Sequence, residues 1–418
     1  MNDSIQSSAV SYYDLAIIGT GLAGYTLARD WRKLEPDASL LLISSDDGAY
    51  YSKPMLSNGL AKNKSAQDLA VQSAEAMAAT LNADIRPHTV VEAIDAAAKQ
   101  LTDADGNRFG YGQLVLATGA QQIRLPIPGE GADAVITVND LADYAVFRER
   151  IQTIDRVAVM GPGLIGCEFA NDLAAIGKST VIIGPDRYPL ERLMPEPAGL
   201  VLQSALSEIG VSWQLQTVVE RIDRHDNGFT LQLANGEREH AGLVLSAVGL
   251  RPDTRLGELA GIATNTGIQV DRYLQSSDAA IFALGDCAEI EGLVLPYIMP
   301  IMLASRALAK TLTGSHTAVS YPGMPVVIKT PAHPVVVAPP APDAAGEWQI
   351  EATPEGVLAK YVAIAEVAAD ADPASTDATS TEAATESLLG FVLTGSHVKE
   401  KTRLGKLLPP TLPALTPP

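Results

Sequence analysis

Short apolar runs that end in glycine recur along this chain and predict buried strands. Residues 15–18 read Leu-Ala-Ile-Ile and run into a glycine-rich turn, after which apolar positions keep a helical spacing through Trp31 and Leu34. Residues 157–160 read Val-Ala-Val-Met and run into a second glycine-rich turn. Unbroken apolar strands of this length are typical of parallel sheets covered on both faces. The pattern therefore predicts an α/β fold built from two similar units.

The same signals place the other elements of the two units. We expect a turn at 105–107, a helix from about 300 to 312, and strands at 40–45, 90–94, 101–111, 114–120, 180–183, 243–249 and 281–286. From Tyr321 onward the pattern becomes β-like, with strands expected at 326–329, 334–337, within 348–362 and at 388–394. Residues 365–387 carry six acids and no base, and this composition predicts a disordered acidic loop.

The two glycine-rich turns share the spacing G-x-G-x-x-G, at 19–24 and at 161–166. In such a turn the first glycine allows the tight bend, the second lets the backbone approach a pyrophosphate, and the third lets helix and strand pack closely. The N–H groups at the start of the following helix attract phosphate. Two complete units in one chain predict two Rossmann-like dinucleotide-binding domains.

The residues after the second strand of each unit depart from the usual dinucleotide pattern. An acid that binds the ribose hydroxyls is usual there, but positions 44–47 read Ser-Ser-Asp-Asp. In the second unit Gly184 stands at that place, followed by Asp186 and Arg187. Asp186 favours NAD and Arg187 leaves NADP open, so the residues alone do not choose between the two.

Composition narrows the class of protein. The chain has 418 residues, enough for two or three domains, and its net charge of −19 argues against nucleic acid or an anionic membrane as partner. The polar stretch 1–13 lacks the features of a secretory signal, and no apolar run is long enough to span a bilayer. Cys167 and Cys287 are the only cysteines, which excludes a C-x-x-C redox pair. We therefore expect a cytoplasmic protein.

Several motifs, in their order along the chain, resemble the FAD-dependent pyridine-nucleotide reductase family. They are the glycines at 19–24, Ala-Thr-Gly at 117–119, the glycines at 161–166 with Glu168, and Gly285-Asp286. Three further stretches, 51–57, 164–173 and 326–331, are similar to members of that family that reduce rubredoxin.

The resemblance implies a domain plan and a function. FAD is expected in a domain formed by 1–122 and 251–320, NADH in a domain formed by 123–250, and a C-terminal α+β interface domain at 321–418. Electrons would pass from NADH through FAD to rubredoxin, as in bacterial alkane hydroxylation. The alternatives are a reductase of another carrier, such as ferredoxin or flavorubredoxin, and a flavin-bound sensor with little turnover.

The resemblance also assigns site residues, with Lys53 and Glu168 as the catalytic pair. The residues expected to bind the cofactors are Gly19, Thr20, Gly21, Leu22, Ala23, Gly24, Ser44, Ser45, Lys53, Val91, Gly161, Gly163, Gly166, Glu168, Asp286, Ile298 and Lys329. Composition alone leaves Lys53 open between a surface lysine and a cation beside the flavin. Because an isolated buried charge is tolerated mainly when it is paired, we expect an ion pair between Lys53 and Glu168.

Overall fold

A computed structural model describes residues 10–364 and 387–415 of the chain. The loop expected to be disordered, 365–387, lies outside the described residues except for Ser387. Among the residues that are described, every helix is too short or too polar to cross a membrane.

The first sheet is built around the strand that precedes the first glycine turn. Its parallel part has the order Asp84–Arg86, Leu40–Ile43, Ser11–Ile18, Arg108–Leu116 and Ile281–Ala283. Gln100–Asp103 and Val91–Asp95 extend the Arg108–Leu116 strand in antiparallel fashion. The strand Leu40–Ile43 and the second half of Ser11–Ile18, residues 15–18, are buried, as their unbroken apolar runs predict. The expected fold class is confirmed here.

One expected strand is interrupted. Instead of a continuous strand at 101–111, the chain turns after Asp103 and resumes as Arg108–Leu116, which also includes part of the strand expected at 114–120. The Asp103 carboxylate accepts hydrogen bonds from the backbone N–H groups of Asp105 and Asn107 at 3.0 and 2.8 Å. This local bonding closes the turn that was expected at 105–107.

The second sheet repeats the parallel arrangement around the second glycine turn. Its order is Val211–Leu215, Ser179–Gly184, Arg156–Met160 and Leu243–Ser246. An antiparallel sheet of Val219–His225, Gly228–Leu233 and Arg238–Ala241 lies beside it. The chain leaves the first sheet through Ala120–Gln122 and returns through Leu250–Pro252, and these two segments pair with each other.

The C-terminal part forms an antiparallel sheet of five strands. Their order is Val326–Ile328, Val335–Ala338, Leu388–Thr394, Gly356–Ala363 and Gly346–Thr353. Val335, Val337, Val357 and Val392 share a core with residues of the second sheet. The C-terminal sheet is thereby packed firmly against the second Rossmann-like unit.

The helices and the remaining short strands complete the described fold. The helices are Leu22–Leu34, Ala66–Leu69, Ala74–Leu81, Leu141–Arg150, Leu164–Ala175, Glu196–Glu208, Arg255–Leu259, Ile298–Leu312 and Lys401–Gly405, with 3₁₀ turns at Lys53–Asn58, Ala132–Ala134, Ile151–Thr153, Gly285–Cys287 and Gly395–Glu400. Two further small sheets pair Tyr50–Tyr51 with Ala70–Gln72, and Ile268–Val270 with Ala288–Ile290.

Candidate functional site

The first glycine turn leaves an open space at the start of a helix. Gly19 has φ +112°, and a Cβ there would lie 2.2 Å from the Ala117 carbonyl oxygen. A Cβ on Gly24 would lie 1.9 Å from the Gly19 carbonyl oxygen, whereas a Cβ on Gly21 would meet nothing within 4 Å. The outer two glycines are therefore required by the fold, and the middle one borders free space.

The second glycine turn has the same construction. Gly161 has φ +109°, and a Cβ there would lie 2.6 Å from the Ala247 carbonyl oxygen. A Cβ on Gly166 would lie 1.9 Å from the Gly161 carbonyl oxygen, and a Cβ on Gly163 would again meet nothing within 4 Å. The likeness of the two turns thus extends from sequence to steric detail.

Both open spaces fit a pyrophosphate group. The helices Leu22–Leu34 and Leu164–Ala175 begin at Gly21 and Gly163 with no side-chain cap and no acid in the first turn. Their first N–H groups and the positive end of each helix dipole are therefore available to an anion. The residues present at each turn therefore fit the pyrophosphate of a dinucleotide such as FAD or NADH.

The acid beside the first turn is Asp46. Its Oδ1 accepts a hydrogen bond from the backbone N–H of Gly48 at 2.9 Å and from the buried hydroxyl of Ser44. The Thr20 hydroxyl lies 3.5 Å from the same oxygen, and Ser45 is exposed. The family resemblance assigned Ser44 and Ser45 to the cofactor. The structure also brings the carboxylate of Asp46, two residues after Ser44, to the glycine turn.

Val91 lies at the start of its strand with its carbonyl group already engaged. The Arg255 guanidinium donates a hydrogen bond to the Val91 carbonyl oxygen at 3.1 Å, across a separation of 164 residues. Arg255 was missed by the sequence interpretation because no local motif marks it. Its contact ties the returning segment of the chain to the expected adenine side of the first site.

Lys53 and Asp286 influence each other without forming a direct ion pair among the described residues. Burial lowers the pKa of Lys53, and the carboxylates of Asp286, Asp140 and Asp143 oppose this effect. Burial raises the pKa of Asp286, and Lys53 opposes it. Lys53 is therefore a half-buried cation among carboxylates rather than a solvated surface lysine.

The expected ion pair between Lys53 and Glu168 is wrong. Glu168 is 1% exposed and pairs with Lys329: its Oε2 accepts from the Lys329 ammonium, and its Oε1 accepts from the Lys329 backbone N–H at 2.9 Å. The Ser57 hydroxyl also donates to Glu168 Oε2, at 2.5 Å. Glu168 was expected to need a cationic partner and has one, but that cation comes from the C-terminal sheet.

Two neighbours of Glu168 on the same helix face make similar long-range contacts. Asn171 Oδ1 accepts from the backbone N–H of Ala332 at 3.0 Å. The Asp172 carboxylate accepts from the backbone N–H groups of Leu60 and Ala61 at 2.9 and 3.0 Å. Burial raises the pKa of Asp172, and these two hydrogen bonds oppose the rise. This polar helix face (Glu168, Asn171 and Asp172) joins the segment 57–61 to the segment 329–332.

The remaining expected site residues and the cysteines are placed as follows. Ile298 begins the helix Ile298–Leu312 and is 44% exposed, so its side chain is accessible to a ligand. Cys167 and Cys287 are buried and unpaired, and burial raises the pKa of both thiols. Among residues 10–364 and 387–415, no cluster of three or more His, Cys, Asp or Glu side chains could hold a metal ion.

Comparison with protein families identifies the relatives of this architecture. The family model for pyridine nucleotide-disulphide oxidoreductases matches residues 13–311. The chain belongs to this family. A second model, for a rubredoxin-binding C-terminal domain, matches residues 318–370. As a member of the family, the chain is an FAD- and NADH-dependent oxidoreductase.

Individual relatives agree with this assignment. The chain is 42% identical, over 96% of its own length and 100% of the relative's, to a rubredoxin-NAD(+) reductase from Alcanivorax borkumensis. It is 35% identical, over 92% of its own length and 96% of the relative's, to a nitric oxide reductase FlRd-NAD(+) reductase from Aliivibrio fischeri. A solved NADH:rubredoxin oxidoreductase from Clostridium acetobutylicum superposes with a TM-score of 0.76 at 19% identity, covering 95% of each chain, which shows the shared fold.

The two glycine turns lead to a paired prediction. Gly21→Val should abolish FAD binding, because the side chain would fill the space next to the helix N-terminus without striking protein atoms at its Cβ. Gly163→Val should keep a full complement of flavin and lose NADH binding for the same reason. Flavin absorbance per chain and NADH titration measure the two effects, with wild type expected to be yellow and to hold one non-covalent FAD. Normal flavin content in Gly21→Val would refute the first site.

The Glu168 network leads to a second prediction, about stability. Lys329→Met leaves the buried Glu168 carboxylate without its cation and should cost about 3 kcal/mol, at the low end for buried pairs, because the Lys329 side chain is still 28% exposed. Lys53→Met should cost less, since burial already disfavours the Lys53 ammonium. Denaturant unfolding of the flavin-free proteins compares the two variants. A larger loss for Lys53→Met than for Lys329→Met would contradict the expected contribution of the Lys329 and Glu168 pair to stability.

Proposed function

We propose that this chain takes hydride from NADH and passes single electrons to rubredoxin in the cytoplasm, in a pathway that hydroxylates alkanes. The observation that carries this proposal is the helix Leu164–Ala175. Its N-terminus borders the second open space, and its buried Glu168 contacts Ser57 near the first unit and Lys329 in the part matched by the rubredoxin-binding model. One rigid element thus connects the parts that a reductase of this kind must hold together.

The chemistry requires a converter between two-electron and one-electron carriers. FAD supplies this step when bound, because a flavin exchanges either a hydride or single electrons. The overall reaction is then NADH plus two oxidised rubredoxins giving NAD⁺, a proton and two reduced rubredoxins. The protein needs no nucleophile or acid–base pair for this, only correct placement and a suitable field.

The described residues supply that placement and field. The open spaces at Gly21 and Gly163 bind and orient the two dinucleotides at the positive ends of two helices. Lys53 contributes a half-buried positive charge, which stabilises an anionic reduced flavin if the ring lies beside it. The Glu168 and Lys329 pair fixes the C-terminal segment relative to the second site. We propose Lys53 as the residue that acts directly on the flavin, with Glu168 as a positioning residue.

A reductase of flavorubredoxin is the second candidate. Relatives named as nitric oxide reductase FlRd-NAD(+) reductases are 35–38% identical to the chain, against 41–42% for those named as rubredoxin-NAD(+) reductases. The difference favours rubredoxin. The link to alkanes depends on the resemblance alone, and it is tested by reconstitution: NADH-dependent alkanol formation should require this chain, rubredoxin and an alkane hydroxylase together.

The choice of carrier leads to a direct prediction. The kcat/KM for rubredoxin should exceed the values for flavorubredoxin and for a ferredoxin, all measured with the same NADH-saturated enzyme. Ferricyanide, which needs no docking surface, serves as the control that the flavin turns over. A higher kcat/KM with flavorubredoxin would replace the proposed partner.

The structure also predicts a preference for NADH over NADPH. The acid that usually favours NAD cannot stand at position 184, because a Cβ on Gly184 would lie 2.2 Å from Cδ of Pro162, so the choice depends on whether Arg187 can bind the phosphate of NADPH. Arg187, the candidate phosphate ligand, is occupied by Glu191, whose carboxylate accepts from the Arg187 Nε at 2.6 Å and from its backbone N–H at 2.8 Å. We therefore expect a higher kcat/KM for NADH.

Glu191→Gln tests this explanation. Exposed ion pairs are weak because water and salt screen them, so releasing Arg187 should raise kcat/KM for NADPH by a small factor, about fivefold at most, and leave kcat/KM for NADH nearly unchanged. The double variant Glu191→Gln with Arg187→Met should lose the gain. If wild type already prefers NADPH, the Arg187 and Glu191 pair does not control the choice.

A further inference from the structure

A cluster of cations is formed by the loop next to the polar helix face and by Arg148 of the helix Leu141–Arg150. Lys62 is exposed, Lys64 is partly exposed, and the Arg148 guanidinium donates to the Asn63 side chain at 2.7 Å. Neither lysine forms an ion pair with another described residue. We call Lys62, Lys64 and Arg148 the basic loop surface. It stands out because the chain as a whole carries a net charge of −19.

Two acids, Asp68 and Asp172, lie near this surface and neutralise it only in part. Hydrogen bonds from Ser65 lower the pKa of Asp68, and the charges of Lys64 and Arg148 lower it further. The Asp68 carboxylate is itself used to cap a helix, accepting from the backbone N–H and the hydroxyl of Ser65 at 2.8 and 2.7 Å. The Asp172 carboxylate is likewise engaged, by the backbone N–H groups of Leu60 and Ala61. Three cations against these two engaged carboxylates leave a local positive field that an acidic partner would meet.

The basic loop surface is held at a fixed place relative to the candidate site. Asp172 binds the backbone of Leu60 and Ala61, directly before Lys62. Burial raises the pKa of Asp172, while its hydrogen bonds with Ala61 and Leu60 and the charges of Lys62 and Lys329 oppose the rise. Asp172 is one helical turn beyond Glu168, which binds Lys329. The basic loop surface therefore adjoins the segment 329–332, and Val327 on the preceding strand exposes 47% of an apolar side chain.

We propose that the basic loop surface, together with the segment 327–332, is the docking surface for a small electron-carrier protein with an acidic face. This inference rests on the proposed function and adds a first-unit loop to the C-terminal region. A carrier with a negative net charge is repelled by the chain at long range, so its attraction must come from a local patch. Redox encounters of this type are usually small and short-lived, which suits a patch of three cations and one apolar side chain.

A second basic cluster, on the helix Lys401–Gly405 and the residues that flank it, provides the matched control. Its members are Lys399, Lys401, Arg403 and Lys406. Arg403 pairs with Glu400 at 2.7 Å, and Lys399 lowers the pKa of the same acid. No hydrogen bond among the described residues links this cluster to Glu168. It has similar charge but lacks the connection to the site.

The test compares two variants with the same change in charge. Lys62→Glu with Lys64→Glu should lower kcat/KM for an acidic rubredoxin about tenfold at low ionic strength, and the difference from wild type should shrink as salt rises. The kcat/KM of Lys62→Gln with Lys64→Gln should lie between the values of wild type and of the glutamate variant. Lys399→Glu with Lys401→Glu should change kcat/KM much less. Anaerobic reduction of the flavin by NADH, and turnover with ferricyanide, should be unchanged in all of them.

The outcomes separate the docking surface from the proposed function. The docking surface is overturned, while the proposed function stands, if kcat/KM for rubredoxin falls equally in the loop variant (Lys62→Glu with Lys64→Glu) and in the C-terminal variant (Lys399→Glu with Lys401→Glu). It is also overturned if the rate does not depend on salt and the loop variant loses no kcat/KM. If wild type reduces an acidic ferredoxin but no rubredoxin, the proposed partner is wrong. In that case a loss of kcat/KM for ferredoxin that is confined to the loop variant still supports the docking surface. Reduction of ferricyanide but of neither carrier overturns both.

Discussion

The buried Glu168 carboxylate is the constraint on which the arrangement of the three parts depends. A charge that is 1% exposed must be paired and hydrogen-bonded to be tolerated. Its partners are the hydroxyl of Ser57 and both the ammonium and the backbone N–H of Lys329. Because these partners come from different parts of the chain, the carboxylate is satisfied only when the parts are correctly assembled.

The helix that carries Glu168, Leu164–Ala175, makes further contacts on both sides of that residue. Its N-terminus at Gly163 borders the second open space, and its later residues Asn171 and Asp172 bind the backbone of Ala332, Leu60 and Ala61. A buried backbone N–H that loses its acceptor costs about 1–3 kcal/mol, and the N–H of Leu60, which donates to Asp172 in a buried hydrogen bond, is such a group. The polar helix face therefore favours one geometry between the second dinucleotide site, the basic loop surface and the C-terminal segment.

The features that the sequence predicted are those with local causes. The glycine turns could be identified because part of their geometry is local: a Cβ on Gly24 would meet the carbonyl oxygen of Gly19 within the same strand–turn–helix unit. The contact of Gly19 with Ala117, which follows the neighbouring strand, required the fold. The cation for Glu168 was misassigned because Lys329 lies 161 residues away, and no spacing rule connects the two. Likewise, the missing acid at Gly184 was visible in the sequence, but its steric reason, the ring of Pro162, required the fold. Features set by the local backbone can thus be predicted from the sequence, whereas the contact partners of residues far apart in the chain cannot.

The central claim is that this assembly converts the two electrons of NADH into single electrons for rubredoxin. The most direct measurement is anaerobic rapid mixing of the FAD-bound protein, reduced with one equivalent of NADH, with an excess of oxidised rubredoxin, recorded at flavin and rubredoxin wavelengths. We expect the flavin to be reoxidised while two rubredoxins are reduced per NADH. A flavin that stays reduced in the presence of oxidised rubredoxin, yet is reoxidised at once by ferricyanide, would contradict it.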